Sequence, residues 1–312
     1  LLDINNYNTK LRNKSNFISN QKQTIEKLYK LLNDKIKTII NLRDKLKSNV
    51  NKPMNFKYFR INIAHIINPF KCKKNNESYL YYAQPITFKS IYEAKKKTNI
   101  DVDIYTTNFI NDDDIIPEYF INLPNLTRST LTEYPNIQNN KQLPFIQDIF
   151  DNLLNHSDAD FLIYTNVDII IHENFYTKIN EILIRNNLDC LIINCKDVSK
   201  LNDDGEILNE NDLQYIYNCK GEEHSGINCF IIERSLLKKI NMKNMFIGFP
   251  HWGFVLYELL KMHTKKILWL KDEFLTFHIG KDKPWDNKDD ELYKQNINNI
   301  KDISNWNLLH LC

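Results

Sequence analysis

The stretch that decides the fold is FLIYTNVDIIIHENFY, residues Phe161–Tyr176. Its first four residues are apolar or aromatic and predict a buried strand, and a second apolar run follows at Ile169–Ile171. Asp168 stands between the two runs, where burying an unpaired carboxylate would be costly. Two explanations are open at this point: the carboxylate caps a turn at a strand end, or it is held there to meet a cation or a polar ligand.

Apolar runs alternate with helical patterns on both sides of this stretch, from Pro53 onwards. The sequence predicts strands at 59–67, 101–109 and 188–194, and helices at 79–97, 143–154 and 174–185. Such alternation predicts an α/β fold with a largely parallel sheet flanked by helices. Ligands of these sheets bind beyond the carboxyl ends of the strands. Several polar residues lie at the ends of predicted strands: Asn68, Thr106, Thr107, Asn166 and Asp168.

The sequence contains neither of the common glycine-rich phosphate loops. With only 6 glycines in 312 residues, GxGxxG and GxxxxGK[ST] are both absent, which disfavours a dinucleotide-binding or P-loop enzyme. A divalent ion that neutralises the phosphate charge is another way to hold a nucleotide. In FLTFHIGKDKPW, His278 ends an apolar run and is followed by Lys281 and Lys283. Imidazole is compatible with Mn²⁺, and lysine offers positive charge to a leaving phosphate.

Composition indicates an ordinary soluble globular protein, with 42% hydrophobic and 26% charged residues. The net charge of +2 gives no reason to expect a nucleic-acid partner, and no apolar run approaches the length of a membrane span. The sequence also lacks a signal-peptide pattern. The 6 cysteines show no CxxC spacing, and several lie in apolar runs typical of buried free thiols. We therefore expect a reducing compartment, the cytoplasm.

Residues 1–52 predict a separate helical appendage, and residues 53–312 the globular domain. The first segment carries 12 Lys/Arg against 4 Asp/Glu, a net charge of +8 against −6 for the rest. Apolar residues recur every seven positions, as in a coiled coil. They are Leu11, Ile18, Ile25, Leu32, Ile39 and Leu46, with Leu28 and Leu42 at d positions. Self-association through residues 11–46 would make the protein a homo-oligomer.

Two alternatives to the coiled coil are open. Lys14, Gln21 and Lys35 occupy other d positions, so an amphipathic helix lying on the chain's own domain explains the pattern equally well. The basic face would also suit anionic lipid or nucleic acid, but it lacks interleaved aromatic residues and is less favoured.

Five motifs occur in order along the globular domain. They are LTRS (126–129), KQLPF (141–145), YTNVDI (164–169), HSGINCF (224–230) and LTFHIGKDKPW (275–285). With these motifs, residues 58–300 resemble nucleotide-sugar-dependent glycosyltransferases of the GT-A fold, and in particular a bacterial glycosyltransferase-like group. The last motif also resembles the His-x-x-Gly-x-x-Lys-Pro-Trp end of glycogenin-like retaining transferases, one residue shorter. The resemblance implies a GT-A fold, a nucleotide-sugar donor, most simply a UDP-sugar, and Mn²⁺ or Mg²⁺ as cofactor.

The resemblance also implies roles for individual residues. Asp168 and His278 would ligate the metal, and Asn166, which replaces the first acid of an Asp-x-Asp motif, would contact ribose or the metal shell. Lys281 and Lys283 would meet the diphosphate. The base, ribose or phosphates would be held by Asn68, Tyr105, Thr106, Arg128 and Lys141, although surface charge explains the last two equally well.

The catalytic base is left open. An acidic residue is common in the bacterial group where this chain has Asn228, and an amide cannot act as a general base. Glu222, Glu223, His224 and Glu258 are the remaining candidates, while His251 and Trp252 would form an acceptor wall for a glycan, protein or small molecule. A rival interpretation is a non-catalytic transferase-like scaffold, or a nucleotide-sugar or glycan-binding module that oligomerises through its N-terminal helix. A metal-dependent phosphohydrolase usually needs more clustered carboxylates.

Overall fold

The computed structural model describes residues 27, 28, 30, 32, 35, 37, 38, 61–72, 79–138, 141–249, 251–271, 273–280 and 288–303. The chain divides into two units, Leu1–Phe56 and Lys57–Cys312. All seven described residues of the first unit are helical. Most of the heptad positions lie outside the described residues, so the coiled coil and the homo-oligomer stay predictions. None of the helices in the described ranges has the length and apolar character needed to cross a membrane.

Seven strands form the main sheet of the second unit. They are β1 (Asn62–Ile67), β2 (Asp101–Thr106), β3 (Ile121–Asn122), β4 (Phe161–Thr165), β6 (Cys190–Ile193), β9 (Cys229–Glu233) and β10 (Ile267–Leu270), in the order β10-β6-β9-β4-β1-β2-β3. Neighbouring strands are parallel, except that β9 runs antiparallel to both β4 and β6. The predicted α/β fold with a parallel-rich sheet is confirmed, and β9 makes the sheet mixed.

The strands of a second, smaller sheet alternate along the chain with the later strands of the main sheet. It contains β5 (Ile169–Ile171), β7 (Lys196–Val198), β8 (Glu222–Glu223) and β11 (Thr276–Ile279), in the order β5-β11-β7-β8. Strand β11 is antiparallel to β5 and parallel to β7, so His278 is in register with both Ile169 and Asp197. This pairing brings together three segments that are far apart in the sequence.

The helices cover both faces of the main sheet. They are α1 (Leu80–Lys97), α2 (Thr130–Glu133), α3 (Ile146–His156), α4 (Phe175–Asn186), α5 (Leu213–Asn218), α6 (Arg234–Leu237), α7 (Trp252–His263) and α8 (Glu291–Ile303). Side chains alternate across β1 as a strand requires. Ala64 and Ile66 pack in the core with α3 and α7, while Ile63 and Ile67 pack in the core with α1 and α4.

The decisive stretch spans both sheets. All five residues of β4 are buried, because helices cover this strand on both faces. The chain leaves the main sheet at Asn166, whose backbone N–H donates to the carbonyl of Asn228 at 3.2 Å. The N–H of Ile169 then donates to the carbonyl of Asn166 at 3.1 Å, closing a tight turn before β5. Asp168 therefore lies in the turn that links the two sheets.

Candidate metal and donor site

Asp168 presents one buried oxygen that accepts no hydrogen bond from any described residue. Its side chain is 17% exposed, and Oδ2 lies 3.4 Å from Nε2 of His278. Oδ1 is buried and, among the residues that the structure describes, has no hydrogen-bond partner. Burial acts to raise the pKa of this carboxyl group, but hydrogen bonding to His278 and its positive charge leave the pKa lowered. An ionised oxygen buried without a donor costs free energy, so this atom is available to a cation.

Asp197 on β7 binds two histidines through a single oxygen. Its Oδ1 accepts from Nδ1 of His224 at 2.7 Å and from Nδ1 of His278 at 2.8 Å. Burial acts to raise the pKa of Asp197, but these two hydrogen bonds hold it well below its ordinary value. The sequence analysis missed this residue. Its signal was its place three residues after the predicted strand end at Asn194, the same placement that drew attention to Asp168.

The ring of His278 lies between two carboxylates. Its Nδ1 faces Asp197 and its Nε2 faces Asp168. Burial alone would lower the pKa of His278, but hydrogen bonds to Asp168 and Asp197 raise it to about 10. The structure thus offers a cation two positions. One lies beside Asp168 and Nε2, as the sequence predicts, and the other lies among Asp197, His224 and His278, whose ligand atoms are within 4.8 Å of one another.

His224, which follows β8, begins a chain of hydrogen bonds that has one direction. Nδ2 of Asn228 lies 2.9 Å from Nε2 of His224, Nδ2 of Asn166 donates to Oδ1 of Asn228 at 3.2 Å, and the hydroxyl of Tyr164 donates to Oδ1 of Asn166 at 3.2 Å. An amide nitrogen only donates, so Nε2 of His224 accepts and its Nδ1 carries the hydrogen. Both amides that replace expected carboxylates are therefore used in this chain.

The three carboxylate candidates for a base lie in different places. Nδ2 of Asn194 donates to Oε1 of Glu223 at 3.0 Å and to the carbonyl of His224 at 3.3 Å. These bonds anchor Glu223 beside the cluster formed by Asp197, His224 and His278. Glu222, also on β8, lines a cavity of about 680 Å³ together with Asp197. Glu258 lies on α7 and binds Lys261 at 2.8 Å. A hydrogen bond from Asn194 thus ties Glu223 to the cluster.

Three residues were expected to hold the nucleobase of the donor, and of these Asn68 keeps a partly exposed side chain at the edge of the sheet. Asn68 is half-buried, and its Nδ2 donates to the carbonyl of Thr107 at 2.5 Å. Thr106 is fully buried and its hydroxyl donates to Asn122 at 3.0 Å, while Tyr105 packs in the core. Thr106 and Tyr105 therefore offer a ligand little side-chain surface.

The two cations expected near ribose or phosphate are already paired. Nε and Nη2 of Arg128 donate to the two oxygens of Asp148 at 3.0 and 2.8 Å, and its guanidinium lies over the ring of Phe145. Lys141 pairs with Asp290 at 3.6 Å. These contacts favour the structural alternative for both residues. Lys281 and Lys283 lie outside the described residues, so their roles stay predictions.

The expected acceptor wall needs correction at Trp252. This residue is 5% exposed and packs edge-on against Tyr164, with ring centroids 5.4 Å apart, and against Phe230 at 5.7 Å. The indole is a core residue and leaves no open face for stacking on a sugar. His251 precedes α7 with a φ of +80° and is half-buried, with Nε2 3.4 Å from the hydroxyl of Tyr293.

No protein-family model matches the chain, and no curated protein matches its sequence. Among solved structures, residues 1–349 of TarS from S. aureus in complex with UDP-GlcNAc give a TM-score of 0.46 at 11% identity, covering 80% of this chain and 69% of that one. Glucosyl-3-phosphoglycerate synthase from M. tuberculosis gives 0.41 at 14%, covering 78% and 80%. The mannosyltransferase PcManGT from Pyrobaculum calidifontis, in complex with GDP-Man and Mn²⁺, gives 0.40 at 9%, covering 79% and 66%. Likenesses of this strength carry no argument about the activity or ligands of this chain, for which its own geometry must serve.

Proposed function

We propose that the chain is a metal-assisted glycosyltransferase that moves a sugar from a nucleotide donor, a UDP-sugar, to a hydroxyl group of an acceptor. The observation that carries the proposal is the carboxylate of Asp168, whose Oδ2 lies 3.4 Å from Nε2 of His278 and whose buried Oδ1 has no hydrogen-bond partner in the described part of the chain. Asp168 lies in the turn after β4, at the edge of a parallel-rich sheet where ligands of such folds bind, and His278 faces it from β11. A carboxylate oxygen and an imidazole nitrogen are both ligands that Mn²⁺ accepts.

Asp168 and His278 would hold the ion, which when bound would neutralise negative charge on the leaving diphosphate. In the transfer, the bond between the sugar carbon C1 and the diphosphate oxygen breaks, the acceptor oxygen bonds to C1, and the acceptor hydroxyl loses its proton. We assign Glu223 as the group that takes this proton, because Asn194 holds its carboxylate beside the cluster. Asn68 would contact the nucleoside, and Lys281 and Lys283 the diphosphate.

The experiment is a nucleotide-release assay on the full chain with a panel of UDP-sugars, with and without Mn²⁺. We expect release that requires the ion, and a loss of more than about 100-fold in His278→Ala, a larger loss than outer-shell changes usually cause. Asp203→Asn is the matched control, because Asp203 is exposed and accepts a hydrogen bond from Tyr215 far along the chain from the ligand residues. Full turnover in His278→Ala would contradict the assignment of this residue to the ion.

A non-catalytic nucleotide-sugar-binding module is a second candidate, favoured by one observation. Asn166 and Asn228 bond to each other through their amides, and neither can act as a base. Calorimetry with UDP and Mn²⁺ beside the release assay separates the two functions. Ion-dependent UDP binding without hydrolysis or transfer of any donor in the panel would favour the module.

A further inference from the structure

We infer that Asp197 is a positioning residue for the ion site: it holds His278 so that Nε2 faces the ion, and it does not ligate the ion itself. This inference rests on the proposed function, because it concerns the same ion. It decides between the two positions that the cluster offers, beside Asp168 or among Asp197, His224 and His278.

The hydrogens on the two rings follow from the geometry around Asp197. An ionised carboxylate oxygen accepts hydrogen bonds and cannot donate them. Oδ1 of Asp197 lies 2.7 Å from Nδ1 of His224 and 2.8 Å from Nδ1 of His278. Both Nδ1 atoms therefore carry hydrogen, and a ring nitrogen that carries hydrogen has no lone pair for a cation. On His278, the nitrogen left for the ion is Nε2, which faces Asp168 and gives up its own hydrogen when the ion binds.

The series of hydrogen bonds that runs from His224 through Asn228 and Asn166 to Tyr164 fixes the His224 ring at its Nε2. Each amide in it donates through nitrogen and accepts through oxygen. Its far end is fixed, because the ring of Tyr164 is buried and packs edge-on against Phe150 at 5.9 Å and Trp252 at 5.4 Å. Nε2 of His224 is thus occupied by Asn228, and its Nδ1 by Asp197. Neither nitrogen of His224 can therefore ligate an ion unless its hydrogen bond to Asp197 or to Asn228 is broken.

The costs of the two ion positions therefore differ. An ion among Asp197, His224 and His278 would have to break both Nδ1–H bonds to Asp197. An ion beside Asp168 displaces only the Nε2 hydrogen of His278, and at Oδ1 of Asp168 it meets an oxygen that no described residue contacts by hydrogen bond. The backbone keeps Asp197 in place, since it is in register with His278 on the parallel neighbour β11. A carboxylate that accepts the second N–H of a metal-binding histidine is a common way to fix the ring.

The test uses the full chain labelled with ¹⁵N-histidine and Zn²⁺ as a diamagnetic probe ion. Long-range ¹H–¹⁵N spectra distinguish ring nitrogens that bear hydrogen from those that bind metal, and His278→Gln identifies the His278 signals by their loss. We expect Zn²⁺ on Nε2 of His278, with hydrogen retained on Nδ1. In Asp197→Asn, which keeps the shape and an acceptor oxygen but not the charge, we expect Mn²⁺ affinity to fall about 10- to 100-fold. The melting temperature in EDTA should also fall, because two imidazole N–H groups lose their charged acceptor, so affinity is measured below the onset of unfolding. Asp203→Asn should bind like wild type.

The outcomes separate this inference from the proposed function. Zn²⁺ on Nδ1 of His278, or on a nitrogen of His224, would make Asp197 a ligand and overturn the inference while leaving an ion site in place. Wild-type Mn²⁺ affinity in Asp197→Asn would also overturn it. If neither Zn²⁺ nor Mn²⁺ binds the wild-type chain, the ion in the proposed function is wrong, and the inference falls with it.

Discussion

Two polar clusters at the edge of the main sheet treat a carboxylate in opposite ways. After β2, Oδ1 of the exposed Asp113 accepts from the amides of Asn108 at 2.7 Å, Asn125 at 2.7 Å and Asn122 at 3.5 Å. After β4, Oδ1 of Asp168 is buried and unpartnered within the described ranges. Both acids follow predicted strands, so strand-end position alone does not identify a site. The difference is whether the protein itself completes the hydrogen bonding of the oxygen.

The largest expected effect comes from replacing each of the two acids, Asp168 and Asp113, by asparagine. Asp168→Asn should abolish ion-dependent UDP binding, with a loss of more than about 100-fold, because it removes the charge that faces the ion. Its melting temperature in EDTA should also fall, because protonated His278 loses one of its two charged partners, so ion binding is the readout that distinguishes Asp168 from Asp113. Asp113→Asn should leave ion affinity unchanged and lower the melting temperature, because three amide donors would lose their charged acceptor. Titration calorimetry with Mn²⁺ and UDP, beside thermal melts, measures both. A large loss of melting temperature in Asp168→Asn with ion affinity intact would show that Asp168 is the structural acid.

The second effect is proton release by the ion site. With its pKa raised to about 10, His278 is protonated at pH 7, and an ion at Nε2 must displace that proton. Calorimetry in two buffers of different ionisation enthalpy should report about one proton released per ion, and affinity should rise about tenfold per pH unit below the folded pKa. The free energy of unfolding of the metal-free protein has the opposite pH dependence to the ion affinity. The raised pKa stabilises the fold fully below pH 6.5, and this contribution is lost as the pH rises towards 10.

An ion that binds without releasing a proton would contradict this account, because it would mean that Nε2 is already deprotonated or lies outside the ligand set. His278→Gln is the control. It should release no proton from this position, whatever ion affinity remains.

The longer elements as far as β6 could be predicted from the sequence, the later ones such as β9, β10, α7 and α8 were not, and the site was predicted only in part. Apolar runs such as that of β4 identify buried strands because helices cover both faces of the sheet and remove polar alternation. Asp197 was missed because Lys196–Val198 is too short to show a period, and its partner His278 lies 81 residues away. Trp252 was misassigned because an indole suits both a sugar face and a core, and only the fold shows which one it meets. The heptads of residues 11–46 stay a prediction.

A third and smaller effect concerns a histidine in the opposite situation to His278. His65 is fully buried between the hydroxyls of Tyr176 at 2.8 Å and Thr165 at 2.9 Å, with no carboxylate in this pair of contacts. Burial lowers its pKa to about 3. The unfolded chain therefore binds more protons than the folded one between pH 6.5 and 3. As the pH falls through that window, the free energy of unfolding falls by at most about 1.4 kcal/mol per pH unit.

His65→Asn should reduce this acid sensitivity while costing some stability at pH 8, where the wild-type residue is neutral in both states. Urea denaturation at pH 5 and at pH 8 measures the difference for the wild type and the variant. Equal losses between the two pH values in both proteins would show that other groups cause the acid sensitivity.

The smallest effect tests a third carboxylate, Asp148, whose partner Arg128 was expected at the donor. The pair is bidentate and partly exposed, with side chains 30% and 24% accessible for Arg128 and Asp148. A pair of this kind contributes about 1 kcal/mol to stability. Arg128→Lys keeps the charge but loses the two parallel hydrogen bonds, so we expect a melting temperature lowered by a few degrees. The donor KM should stay within about twofold of wild type, because the guanidinium binds Asp148 and not phosphate. Melting curves and nucleotide-release kinetics measure the two quantities. A KM raised tenfold at unchanged melting temperature would return Arg128 to the donor site and show that its pairing with Asp148 gives way when the donor binds.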